Sequence, residues 1–222
     1  MTGELIPIRV LSLQLIANVS ADLCRHLGLP DGSRAIGLIS TDCDDATYIA
    51  LDEATKAANV AVVYAKSLYG GASNASTRLA GEVIGILGGE NPSEVRSGLQ
   101  GAVRLLKSGI GFRSADDTGS VVYLAQCVAR TGSFLSKTAH IPQGQAVAYL
   151  IAPPVESIVG LDAALKASDV RMTTFFAPPS ETNFAGGLLT GTQSACKAAC
   201  DAFAAAVESV ARAPMEGGSV LG

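Results

Sequence analysis

The residues of this 222-residue chain best suited to chemistry gather in one short acidic stretch, Asp42-Cys-Asp44-Asp45. Carboxylates at the start of a helix accept its orphan N–H groups and complement its dipole, a contribution of roughly 0.5–2 kcal/mol. Capping is therefore one reading of Asp44. Three carboxylates within four residues exceed what one cap requires, however, and close like charges repel unless a cation or solvent lies between them. Glu82 adds a further acid, so an ammonium pocket is the other reading. Two carboxylates with a hydroxyl partner suit a small amino alcohol: the acids hold the ammonium, and a Thr or Asp holds the hydroxyl. A metal or general-base site on the same loop, or a soluble amine sensor, are the rival uses of this cluster.

Other reactive groups are sparse. The five cysteines (Cys24, Cys43, Cys127, Cys196, Cys200) contain no Cys-x-x-Cys pair. With only His26 and His140 beside them, they argue against a zinc site and read as small apolar residues in a reducing compartment. Neither histidine stands in a nucleophile context, and His140 reads as a surface or cap residue. Gly70-Gly71 and Gly85-Ile-Leu-Gly88-Gly89 match neither a dinucleotide fingerprint nor a phosphate loop. A rigid polar stretch, Pro178-Pro-Ser-Glu-Thr-Asn183, is either a plain turn or a wall of a passage or ligand site near the acidic loop.

Composition narrows the partners. A net charge of −4 and a pI near 5.2 argue against nucleic acid and anionic membrane. No apolar run approaches the roughly 20 residues of a membrane span. The start, Met-Thr-Gly-Glu-Leu-Ile-Pro-Ile-Arg, lacks the basic-then-apolar order of a secretion signal. Hydrophobic residues make up 48% and charged ones only 16%, with a mean hydropathy of +0.34. Such a lightly charged chain is expected to cover part of its surface with other subunits.

These residues are carried by a duplicated scaffold. Val10, Gln14, Ala17, Leu23, Pro30 and Gly32 recur 112 positions later as Val122, Gln126, Ala129, Leu135, Pro142 and Gly144. Beyond that the spacing becomes 110: Leu51-Asp52 meets Leu161-Asp162, and Lys56-Ala57 meets Lys166-Ala167. Two domains are expected, residues 1–112 and 113–222. In each, apolar runs read as four strands, and helices are expected at Ala46–Asn59 and Pro92–Lys107 with counterparts at Ser157–Ser168 and Gln193–Ala211. Phe134–Thr138 is expected as a short helix. The fold class is α/β (α+β), with antiparallel strands and one helical layer per copy. The loops have diverged between copies: the acidic stretch faces Ala152-Pro-Pro-Val-Glu156, Glu82 faces Gly187, and residues 65–78 are longer in the first copy.

Several motifs together carry a family resemblance: Ile36-Gly-Leu-Ile-Ser-Thr-Asp-Cys-Asp-Asp-Ala-Thr-Tyr48, Ala80-Gly-Glu-Val, Arg130-Thr-Gly-Ser, Tyr149-Leu-Ile-Ala-Pro-Pro154, Pro179-Ser-Glu-Thr-Asn183 and Leu189-Thr-Gly-Thr-Gln-Ser-Ala-Cys-Lys-Ala-Ala-Cys200. From about residue 5 to 213 the chain resembles the L-type shell proteins of the ethanolamine-utilisation bacterial microcompartment. The resemblance implies two tandem, circularly permuted, ferredoxin-like microcompartment domains and a structural rather than catalytic role in a shell within the cytoplasm. It implies a homotrimer forming a pseudohexameric tile that packs beside other shell proteins. It also implies a gated central passage for large solutes such as cobalamin, and small subunit pores for ethanolamine, with no resident cofactor. By position, the ethanolamine residues would be Asp45, Glu82, the backbone at Phe112, and Thr182. Tyr69, Gly70, Gly71 and Asn74 become gate candidates, with Asp44 and Asn183 beside the passage.

Overall fold

Runs of alternating or β-branched apolar residues form the strands, and Ala-rich stretches with 3,4-spaced apolar positions form the helices. The computed structural model describes residues 1–67, 83–178, 180 and 183–215. Their elements run β1 (Val10–Ile16), α1 (Ala21–Leu27), β2 (Ala35–Thr41), α2 (Asp44–Ala57), β3 (Val60–Ser67), β4 (Val83–Gly89), α3 (Pro92–Lys107) and β5 (Arg113–Ser114). They continue as β6 (Val122–Val128), α4 (Ser133–Thr138), β7 (Ala146–Ala152), α5 (Pro154–Ala167), β8 (Val170–Phe176), β9 (Ala185–Gly191) and α6 (Gln193–Arg212).

Two helices begin earlier than their apolar periodicity predicts. Cys43 is the N-cap of α2, so Asp44 and Asp45 fall inside its first turn, where the helix dipole favours carboxylates. Pro154 opens α5, since proline's fixed φ and missing N–H cost nothing at the first helical position.

The two sheets share one antiparallel order, β1-β2-β4-β3 in the first and β6-β7-β9-β8 in the second, where β5 adds an edge strand. The compact units are not the two sequence halves. One comprises Pro7–Gly111 with Thr131–Gly144; the other comprises Met1–Ile6, Phe112–Arg130 and the chain from Gln145 onward. Each half thus lends a segment to the other half's unit.

In the unit built on β1-β2-β4-β3, α2 and α3 pack together on one face. Gly37 of β2 makes that approach possible, because a Cβ there would lie 2.8 Å from the Leu99 and Val95 side chains of α3. Val19, Ile36 and Ile86 form a separate small cluster, with Cys24 and Leu27 of α1 against it. Helix α4 packs on α2. The joint is polar at its centre: Asp52, with its side chain fully buried, accepts from the N–H groups of Gly132 at 2.6 Å and Leu135 at 2.8 Å. Ser133 N–H donates to the Thr55 hydroxyl at 3.0 Å, and the Tyr48 and Phe134 rings stand 6.2 Å apart. Asp52 therefore supplies the acceptors for the start of α4, whose own N-cap, Gly132, has no side chain to do so. Burial pushes its carboxyl above the usual range, although both N–H donors and Lys56 pull the other way.

In the other unit, α5 and α6 lie on the β6-β7-β9-β8 sheet, around a core of Leu150, Leu161, Leu189, Cys196, Cys200 and Phe203. All seven residues of β7 are buried, so it is a central strand. Residues 3–6 pair with 112–114 through Gly3 N–H to Ser114 O, Ile6 N–H to Phe112 O and Ser114 N–H to Glu4 O.

Asp52→Asn replaces one buried acceptor with a donor that faces a backbone N–H. Urea unfolding at fixed protein concentration is expected to show a loss of about 1–3 kcal/mol, the cost of one unsatisfied buried group. Unchanged stability would show that α4 does not depend on this cap.

Candidate functional site

The acidic loop turns from β2 into α2 through a lattice of hydroxyls. Thr41 and Thr47 place their hydroxyls 2.7 Å apart, both within bonding distance of the Cys43 carbonyl, and Cys43 N–H donates to Thr41 at 3.1 Å. This fixes the path of the chain just before the carboxylates.

The three acids have different neighbours. Asp42 accepts from Arg9 N–H at 2.8 Å and from Arg9 Nε at 2.7 Å, so an adjacent guanidinium balances its charge. Asp44 is buried; it accepts from Asp45 N–H at 2.8 Å and from the Ser67 hydroxyl at 2.6 Å. Ser67 in turn lies 2.7 Å from the Tyr48 hydroxyl. Asp45 is buried in the same helical turn. The acids expected to repel are thus engaged by different partners, Asp42 by an arginine and Asp44 by a serine and a backbone N–H at the helix start.

The remaining site residues expected from the sequence are distributed as follows. Phe112 belongs to the other unit, where its carbonyl accepts from Ile6 N–H at 2.8 Å and its ring lies 5.4 Å from that of Phe184. Asn183 is exposed beside Phe184, whose carbonyl accepts from the Ser180 hydroxyl at 2.8 Å. Glu82, Thr182, Tyr69, Gly70, Gly71 and Asn74 lie outside the described residues. Sequence reasoning gave no role to Tyr48 and Ser67, which hold Asp44. Ser67 is the last residue of β3, and its pairing opposite Val83 of β4 helps to set its position beside the acidic cluster.

A microcompartment shell domain model, the BMC domain, matches residues 35–114. Shell protein EutL of Clostridium perfringens is 62% identical over 97% of this chain and 99% of its own length; EutL of Escherichia coli is 51% identical over 96% and 97%. The chain belongs to the EutL family of bacterial microcompartment shell proteins. A solved EutL structure from Leptotrichia buccalis, described as an ethanolamine utilization protein, superposes with a TM-score of 0.95 at 59% identity, covering 97% of this chain and all of that one. Members of this family are structural, non-enzymatic shell components, and the tandem microcompartment fold expected from the duplicated sequence is the fold observed. An enzyme built on the acidic loop is not favoured: Asp42 is engaged by Arg9, and Asp44 by Ser67 and the helix backbone. Among the described residues no group of three or more His, Cys, Asp or Glu is placed to hold a metal, and no helix is long and apolar enough to cross a membrane.

Asp44→Ala removes two hydrogen bonds and a first-turn carboxylate from α2. A destabilisation of about 1–3 kcal/mol is expected in urea unfolding, from combined loss of the helix-start charge and the buried acceptor. A change within a few tenths of a kcal/mol would mean that Asp44 does not anchor the loop.

Proposed function

We propose that three copies of this chain close into a pseudohexameric tile of the ethanolamine-utilisation microcompartment shell, beside other shell proteins. Such a tile controls metabolite passage. The observation that carries this reading is one sheet order appearing twice in a chain that matches EutL relatives over nearly its whole length. A duplicated shell domain needs half as many chains to complete a six-domain outline.

Each chain would carry one small-ligand site. At a spacing of 110 residues, the positions of Asp44-Asp45 at the start of α2 are held by Pro154-Val155 at the start of α5, so this acidic pair occurs in one copy only. Ethanolamine is assigned to Asp45, Glu82, the backbone at Phe112, and Thr182, with the carboxylates binding the ammonium. The central passage is assigned to larger solutes such as cobalamin, with Tyr69, Gly70, Gly71 and Asn74 as its gate and Asp44 and Asn183 beside it. The protein needs no resident cofactor for this role.

Ethanolamine should raise the melting temperature of the full chain, because a ligand at one hundred times its Kd adds about 2.7 kcal/mol. Glu82→Gln should abolish that shift without lowering the ligand-free melting temperature. A shift that persists in the variant would remove Glu82 from the site, and no shift in the wild type would remove ethanolamine.

A further inference from the structure

The α2–α4 joint has a second version in this chain whose two parts are both uncovered. At a spacing of 110 residues, Tyr48, Asp52, Thr55 and Lys56 of α2 correspond to Ile158, Asp162, Leu165 and Lys166 of α5. At a spacing of 112, Gly132, Ser133 and Leu135 around the start of α4 correspond to Ser20, Ala21 and Leu23 around the start of α1. The backbone confirms the second alignment. Gly28 and His140, just past the two helices, both adopt left-handed φ (62° and 53°), as do Gly32 and Gly144 (81° and 90°).

Equivalent positions differ mainly in cover. The Asp52 side chain is 0% exposed, whereas that of Asp162 is 62% exposed. Leu135 is 1% exposed and Leu23 is 40%. Ile158 and Leu165 also stand open on α5, and α1 has no fully buried residue. The α5 positions that match the α2 face of the joint thus stand open, as does Leu23 of α1.

We infer that the outer face of α5, formed by Val155, Ile158, Asp162 and Leu165, seats helix α1 of a second copy of this chain, with Asp162 taking the start of that helix. The inference rests on the tile reading above and deepens it by naming the contact between chains. Because α1 of one copy meets α5 of the next, the contact is heterologous and repeats from chain to chain until the ring closes.

The two joints are not identical. A Cβ at Gly132 would lie 2.6 Å from the Asp52 carbonyl, so Ser20, in the same place, holds α1 further from α5. The Ser20 hydroxyl accepts from Leu23 N–H at 3.4 Å and keeps its own proton to donate to Asp162. The Tyr48–Phe134 ring contact is replaced by Ile158 and Asp22, which makes the joint between copies weaker than the one within the chain.

The test uses the full chain. Native mass and circular dichroism are measured for the wild type, Ile158→Asp and Leu165→Asp, and intermolecular cross-linking under mild oxidation for Ala21→Cys combined with Leu165→Cys. This pair corresponds to Ser133 and Thr55, which are hydrogen-bonded in the internal joint. The expected result is a trimeric wild type and Asp variants that stay folded but assemble at least tenfold more weakly. The double-cysteine chain should give interchain dimers and trimers on a non-reducing gel, which neither single variant forms. A trimeric wild type whose Cys pair does not cross-link overturns this contact and leaves the tile reading standing. A wild type that is monomeric at every concentration overturns the tile reading and this contact with it. Where the two readouts divide, the cross-link decides.

Discussion

A buried carboxylate with two backbone donors is the feature on which the arrangement of this chain turns. Removing the Asp52 carboxylate from water is costly, and its placement persists only because Gly132 and Leu135 aim their N–H groups at it and Lys56 lies 3.7 Å away. That requirement ties α2 to a segment 80 to 83 residues further along the chain. A hydrophobic patch alone would tolerate sliding; a carboxylate shared between two N–H groups of a helix start specifies one position and one direction of approach.

Duplication explains why function need not be symmetric. Both sheets have the same order, and both leading helices, α2 and α5, begin directly after a central strand. The shared scaffold leaves the first helical turn free to vary. In α2 that turn carries Asp44 and Asp45, where the dipole lowers the cost of clustered negative charge; in α5 the matching positions are Pro154, which fits the helix start, and Val155, and Glu156 is the turn's single acid. The paired carboxylates are thus confined to one copy of the scaffold.

Much of this was legible from residue order. The internal repeat gave the antiparallel α/β architecture, and Pro92 to Lys107 is a helix over the expected span because Asn91 caps it and Pro92 occupies its first turn. The unread parts are those set by non-local contacts. Asp52, four residues before Lys56, looks like an ordinary surface ion pair; only the arrival of Gly132 and Leu135 buries it. The two-residue strand β5 pairs with β6 across a short turn, and residues 3–6 return to pair with 112–114 as well, which no local periodicity signals. The exchange of Met1–Ile6 and Thr131–Gly144 between units has the same origin. In the acidic loop, the sequence showed three repelling carboxylates but not Arg9 and Ser67, whose positions depend on strand register.

The central claim is that this chain is a tile. Electron microscopy of the purified full chain at rising concentration tests it most directly. Flat particles with a sixfold-like outline, joining edge to edge into sheets, are the expected result. A field of single small particles that never associate, from protein that is folded by circular dichroism, would contradict it.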